Sequence, residues 1–164
     1  MTDLETVLLE REAAEAEEDL RLAMLARSPL VTAYRLNYVA NSFVAGLYGK
    51  MEEETGISRA QFVVLLCLSV RDGCTAQEIA DATHRPKNSL SRAVRALEAA
   101  GHIHRSTDVR DQRRQPLQMT PSGRRIFTQV RAQAEAREAE MLASLSAEEA
   151  ALLSKLLNRI AQDF

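Results

Sequence analysis

Between Thr75 and Arg125 the chain packs so many helix stops and starts into so short a stretch that few folds can hold it. Thr75-x-x-Glu78 fits a capping box, in which a cap hydroxyl and a third-position side chain satisfy each other's backbone donors. Leu90, Ala93, Val94 and Leu97 recur at helical spacing, and Gly101 after Ala100 can take the left-handed conformation that closes a helix. From His102 the period changes. Ile103 opposes His102 and His104, a charged tip follows, and Leu117 and Met119 alternate with Pro116, Gln118 and Thr120. Pro116 confines its strand to an edge or to the start of pairing. Thr120-Pro121 then sets a hydroxyl cap before a proline at the first helical position.

Two short helices, a hairpin and a helix start are the layout of a winged helix-turn-helix. Charge follows the same boundaries. Ten of the 21 basic side chains fall between His84 and Arg125, opposed only by Glu98, Asp108 and Asp111, while the first 30 residues hold eight acids against three arginines. A net charge of −2 therefore conceals a basic middle that a polyanion would meet.

The same punctuation continues outside this stretch. Ser28-Pro29 predicts a helix start, as do the capping boxes Ser58-x-x-Gln61 and Ser146-x-x-Glu149, and Gly56 and Gly73 predict stops. Phe62, Leu65, Leu66 and Val70 predict the core face of one helix. Leu152, Leu153, Leu156, Leu157, Ile160 and Phe164 form a stripe too wide for a lone terminal helix, which predicts a dimer interface. The expected fold is mainly α: a winged module over 58–120, helical dimerisation segments at 28–57 and 121–164, and an N-terminal extension over 1–27 forming an additional helix.

Within the basic stretch, the helix opening near Asn88 turns Ser89, Ser91, Arg92 and Arg95 away from its apolar stripe. Such a face fits the major groove of double-stranded DNA, with serines reaching bases or phosphates, Arg92 able to take a guanine, and Lys87 and Asn88 at the backbone. At the hairpin tip Asp111 can orient Arg113 toward the minor groove, with Arg114 beside it. The absence of Trp and the scarcity of aromatic rings disfavour a single-strand binder that stacks bases.

The motifs that carry this reading resemble the multiple-antibiotic-resistance regulator (MarR) family. They are Leu97-Glu98-Ala99-Ala100-Gly101, then Asp108-Val109-Arg110-Asp111-Gln112-Arg113-Arg114, then Met119-Thr120-Pro121-Ser122-Gly123, and the resemblance runs from about Leu36 to the C-terminus. It implies that Ser89, Ser91 and Arg92 sit on a recognition helix, that Arg113 is the wing arginine and Asp111 its partner, and that terminal helices pair two copies. It implies a homodimeric repressor on a pseudo-palindromic operator, released by a small aromatic or anionic effector. Tyr34, Arg35 and Tyr38 would lie where that effector binds. His102 departs from the family's usual aliphatic residue, and the first 27 or so residues exceed its usual start.

Other classes find less in the sequence. There is no Gly-rich phosphate loop, His-Glu-x-x-His motif, nucleophile elbow or evident catalytic carboxylate pair, so neither an enzyme nor a cofactor is expected. No apolar run nears the roughly 20 residues a bilayer needs, and the acidic N-terminus is unlike a signal peptide, so the expected location is cytoplasmic, without membrane contact. His102 and His104 on one strand face could hold zinc only with a third ligand, so no metal site is expected. Two alternatives remain: a winged module used only for protein contacts, and a thiol-based redox sensor in which Cys74, just before a helix start, outranks Cys67 in its apolar helix.

Overall fold

The computed structural model describes residues 19–106 and 114–162. The wing tip with Asp108, Asp111 and Arg113, the first 18 residues and Phe164 lie outside the described residues. Seven helices and two strands are described: α1 (Leu20–Arg27), α2 (Val31–Thr55), α3 (Arg59–Val70), α4 (Ala76–Thr83), α5 (Lys87–Ala99), β1 (Ile103–Arg105), β2 (Leu117–Met119), α6 (Pro121–Leu142) and α7 (Ala147–Ala161). Among the described residues, no helix is long and apolar enough to cross a membrane. The chain divides into two compact units between Val44 and Ala45.

In the first unit, Asp19 caps α1 by accepting from the Arg21 N–H at 2.8 Å. That backbone hydrogen bond, with the Arg21 guanidinium behind it, holds the Asp19 carboxyl below its ordinary value. Helix α2 begins at Val31, two residues beyond the start expected at Pro29. The reason is that Ser28 still closes α1, donating its N–H to the Met24 carbonyl, while its hydroxyl accepts from the Leu30 N–H at 3.3 Å. Pro29 and Leu30 are spent on the turn between the two helices.

The second unit is built on α3. Ser58 and Gln61 complete the expected capping box at its start. Phe62 stacks between Tyr48 of α2 and Phe127 of α6, with centroids 6.0 and 6.4 Å away. Val63, Val64, Leu65 and Leu68 are buried with it. The predicted core face is wrong at its far end: Leu66 is 42% and Val70 85% exposed. Burial is continuous only from Phe62 to Leu65; beyond it Leu68 alone stays buried, and the side of the helix that carries Leu66 and Val70 is left open.

Helix α4 opens on the Thr75–Glu78 capping box and ends at His84, whose φ of 50° makes it the one non-glycine in the left-handed region among the described residues. Helix α5 buries Leu90, Ala93, Val94 and Leu97 as expected, at about 1.5–3 kcal/mol for each large side chain removed from water. Its end is fixed by Gly101 at φ 71°, which donates to the Glu98 carbonyl while the His102 N–H reaches the Leu97 carbonyl, both at 2.9 Å.

Strands β1 and β2 pair antiparallel, with Ile103 opposite Met119 and Arg105 opposite Leu117. Pro116 stands just before β2, at the start of pairing as expected. On its outer side the Leu117 carbonyl accepts from the Gly73 N–H, and its N–H donates to the Cys74 carbonyl, both at 2.9 Å. Asp72 Oδ1 accepts from the Met119 N–H at 3.0 Å. The turn between α3 and α4 thus pins β2 along the side that β1 does not occupy. Thr120 caps α6 by accepting from the Gly123 N–H at 3.0 Å. Beyond Val130 that helix has no fully buried residue, with Gln133, Ala134, Arg137, Met141 and Leu142 half-buried.

Candidate nucleic-acid interface

At 100° per residue, the buried stripe of α5 leaves one continuous outer face. Lys87, Asn88, Ser91, Arg92 and Arg95 all lie exposed on it, and Ser89 is half-buried at its flank. The start of α5 has no side-chain cap, because Pro86 occupies the N-cap position. Its first N–H groups therefore receive no side-chain cap, although those of Ser89 and Leu90 donate to the Pro86 carbonyl, and a helix start of this kind favours phosphate. Arg92 is drawn along the helix surface by donating from Nε to the Asn88 carbonyl at 3.4 Å.

Two arginines near the wing's base are engaged within the fold. Arg105 bridges the end of α5 to the far strand, with Nε on Glu98 at 2.8 Å and Nη1 on Gln115 at 2.6 Å. Arg114 donates to Glu78 Oε1 at 3.4 Å, and Arg71 at the end of α3 donates to the same oxygen at 3.0 Å. Glu78 Oε2 accepts from the Thr75 N–H at 2.6 Å. One carboxylate therefore caps α4 and ties two arginines from different elements, and the Thr75 backbone hydrogen bond, ahead of both guanidiniums, pushes its pKa below the ordinary value. The sequence predicted only the cap. The tie to Arg114 spans 36 residues and leaves no local signal.

The sequence model of the MarR family matches residues 57–114, the segment that contains α3, α4, α5 and β1. The chain carries a MarR-family domain. An HTH-type transcriptional repressor of Mycobacterium tuberculosis is 28% identical over 108 residues, covering 66% of this chain and 78% of the relative. A MarR-family regulator from Silicibacter pomeroyi superposes with a TM-score of 0.74 at 24% identity, over 90% of this chain and 97% of that one. A putative MarR-family regulator from Listeria monocytogenes, solved with a 26mer DNA, gives a TM-score of 0.74 at 18% identity, over 80% and 87%. Bordetella bronchiseptica BpsR, whose DNA binding is regulated by 6-hydroxynicotinic acid, gives 0.66 at 22%, over 79% and 98%. At these identities the solved structures establish the fold, a mainly helical winged-helix architecture with a two-stranded sheet.

Outside the MarR-family domain, Tyr34 and Tyr38 stack on one face of α2 with centroids 6.3 Å apart. Arg35 donates from Nε to the Leu25 carbonyl at 2.8 Å, closing the end of α1. Helix α7 has no buried residue: Leu152, Leu153, Leu156, Leu157 and Ile160 are 36–55% exposed. Among the described residues this apolar stripe is buried against nothing.

The remaining sequence candidates separate. His102 Nδ1 lies 3.2 Å from Ser122 Oγ and His104 Nε2 lies 3.0 Å from Gln118 Oε1, so the two rings hold different partners rather than one ion. Cys74 does not occupy the accessible position that redox sensing needs. Its carbonyl is locked to β2 and its side chain is 4% exposed. Burial pushes both thiols up, away from the reactive thiolate.

Proposed function

We propose that this chain is a sequence-specific double-stranded DNA-binding transcriptional regulator, acting as a homodimeric repressor that a small-molecule effector releases. The observation that carries the reading is the outer face of α5, where hydroxyl, amide and cationic side chains stand over a fully packed apolar stripe beside a basic hairpin. That face matches a major groove about 12 Å wide. In this reading Ser89, Ser91 and Arg92 meet base edges, Lys87 and Asn88 meet phosphates, and Arg95 follows along the helix. Asp111 orients Arg113 into the neighbouring minor groove, where narrow, electronegative tracts favour arginine. Arg114 adds a phosphate-side charge from the wing's base.

The winged module occupies residues 58–120 in this account, with 28–57 and 121–164 forming the dimer layer and 1–27 an additional helix. The exposed stripe of α7 supports pairing of two copies, since contiguous apolar surface of this kind marks an association site. Two modules about one helical turn apart would read a pseudo-palindromic operator. Tyr34, Arg35 and Tyr38 supply an aromatic wall and a cation for a small aromatic or anionic effector. The repressor name of the mycobacterial relative, the DNA in the Listeria structure and the regulation of BpsR by 6-hydroxynicotinic acid support the same reading.

Selecting bound duplexes from random DNA tests it directly. A palindrome is expected, and affinity for it should fall steeply with salt, in proportion to the phosphates neutralised. Arg113→Ala should weaken that duplex by about 1–3 kcal/mol. If no duplex is enriched, the reading is overturned.

A further inference from the structure

The last turn of α3 presents apolar surface that the core does not use. Leu66 and Val70 face Ile79 and Ala82 of α4 across a cavity of about 400 Å³, with Cys67 in its wall. That volume lies within the range small organic ligands fill. Arg71 also lines the cavity, and it shares the Glu78 carboxylate with Arg114. Glu78 lines the cavity too, and its second guanidinium partner, Arg114, stands outside the lining.

We propose that this cavity between α3 and α4 binds a small apolar carboxylate, with its hydrocarbon part against Leu66, Val70, Ile79 and Ala82 and its anion on Arg71. Apolar walls with a few polar groups are the usual composition of such sites: the walls supply affinity, and Arg71, exchanging Glu78 for the ligand's carboxylate while Glu78 keeps Arg114, selects the acid over its neutral isostere. The Arg71 side chain is 66% exposed, so its pairing with Glu78 in water is weak and readily exchanged. A concave wall with a charged rim fits a small molecule better than the broad contact a second copy would make.

The cavity is wired to the wing. Cys74, in its wall, accepts from the Leu117 N–H, and Gly73 beside it donates to the Leu117 carbonyl. A ligand that draws Arg71 inward also leaves Glu78 to Arg114 at the wing's base. Occupancy would then move the wing and change duplex affinity. That last consequence rests on the DNA-binding reading, whereas the site itself does not.

Cys67 is the reporter. Alkylation by iodoacetamide at alkaline pH, followed by peptide mass spectrometry on the full chain, reads access to the cavity. Millimolar cyclohexanecarboxylate should slow modification of Cys67 severalfold, and the uncharged cyclohexanecarboxamide much less. Arg71→Gln should erase the difference between acid and amide. Val70→Asp, at an exposed position where the fold tolerates charge, should abolish protection by either compound. Hydrogen exchange at the Leu117 amide should change when the acid is added. Absence of protection by the acid overturns the proposal, as does undiminished preference for the acid in R71Q. Protection that rises with protein concentration and no added compound also overturns it, assigning this face to a second copy. None of these measurements uses DNA, so a chain that enriches no duplex would sink the functional reading while leaving this one decided.

Discussion

Replacing Gly123 by alanine sets helix propensity against packing at the point where the wing meets α6. A Cβ at this position would lie 2.0 Å from the His102 carbonyl oxygen, 2.8 Å from Met119 Cγ and 3.0 Å from the His102 carbonyl carbon. Non-bonded heavy atoms prefer about 3.5–4.0 Å, so α6 must retreat from His102 by more than an ångström. The His102 carbonyl cannot follow freely, because it accepts from the Thr120 N–H at 3.0 Å and from the Thr120 hydroxyl at 3.1 Å. Retreat also strains the Thr120 cap on the Gly123 N–H, worth about 1 kcal/mol. A lost backbone hydrogen bond costs about as much again, and overpacking adds roughly 1–3 kcal/mol. The gain from alanine's helix propensity is only about 1 kcal/mol. The net expectation is destabilisation by about 2–4 kcal/mol, a fall in Tm of roughly 5–15 °C for a chain of this size. Calorimetry on Gly123→Ala beside Gly49→Ala makes the comparison internal. Gly49 lies exposed within α2, and a Cβ there meets nothing within 4 Å, so that substitution should raise stability by about 0.5–1 kcal/mol. If Gly123→Ala melts at or above the parent temperature, the close approach of α6 to His102 is wrong.

Three further expectations follow from the same contacts. Arg92→Ala should cost on the order of 1–3 kcal/mol for the selected duplex and relax preference at one base pair, measured by fluorescence anisotropy; uniform loss across all sequences would reassign Arg92 to phosphate. Leu156→Arg with Leu157→Arg places two charges on the exposed stripe of α7 and should convert a dimer to a folded monomer in sedimentation; a parent chain already monomeric at micromolar concentration would remove the interface. Glu78 titrates below its ordinary value of 4.5 in the folded state, so its contribution is present above that pH and is lost as pH falls through the depressed folded value. Glu78→Gln should therefore be less stable than the parent near neutrality, and the gap should narrow below that ordinary value in acid melts; a gap that stays constant with pH would show that the carboxylate's charge is immaterial.

What the sequence alone determined about this protein is what neighbouring residues settle between themselves. The capping boxes at Ser58, Thr75 and Ser146 form as predicted, because cap and partner are three residues apart and need no tertiary help. The apolar stripe of α5 and the stop at Gly101 are local in the same sense, and with them came the outer face of the candidate recognition helix. Where Ser28 had two duties, closing α1 and opening α2, the local signal misplaced the helix start by two residues.

Tertiary structure decided whatever depends on which elements come together. It left Leu66 and Val70 outside the core while burying Leu68 between them, and so opened a cavity that periodicity had assigned to packing. It gave β2 a partner in the turn at Gly73 and Cys74, burying a thiol that sequence order alone had placed at an accessible helix start. It joined Arg71, Glu78 and Arg114 through one carboxylate, a contact between residues far apart in the chain whose geometry exists only once α3, α4 and the wing have docked. Caps and periods are written in spacings of three or four residues; burial and ion pairing are set by surfaces that meet only in the folded chain.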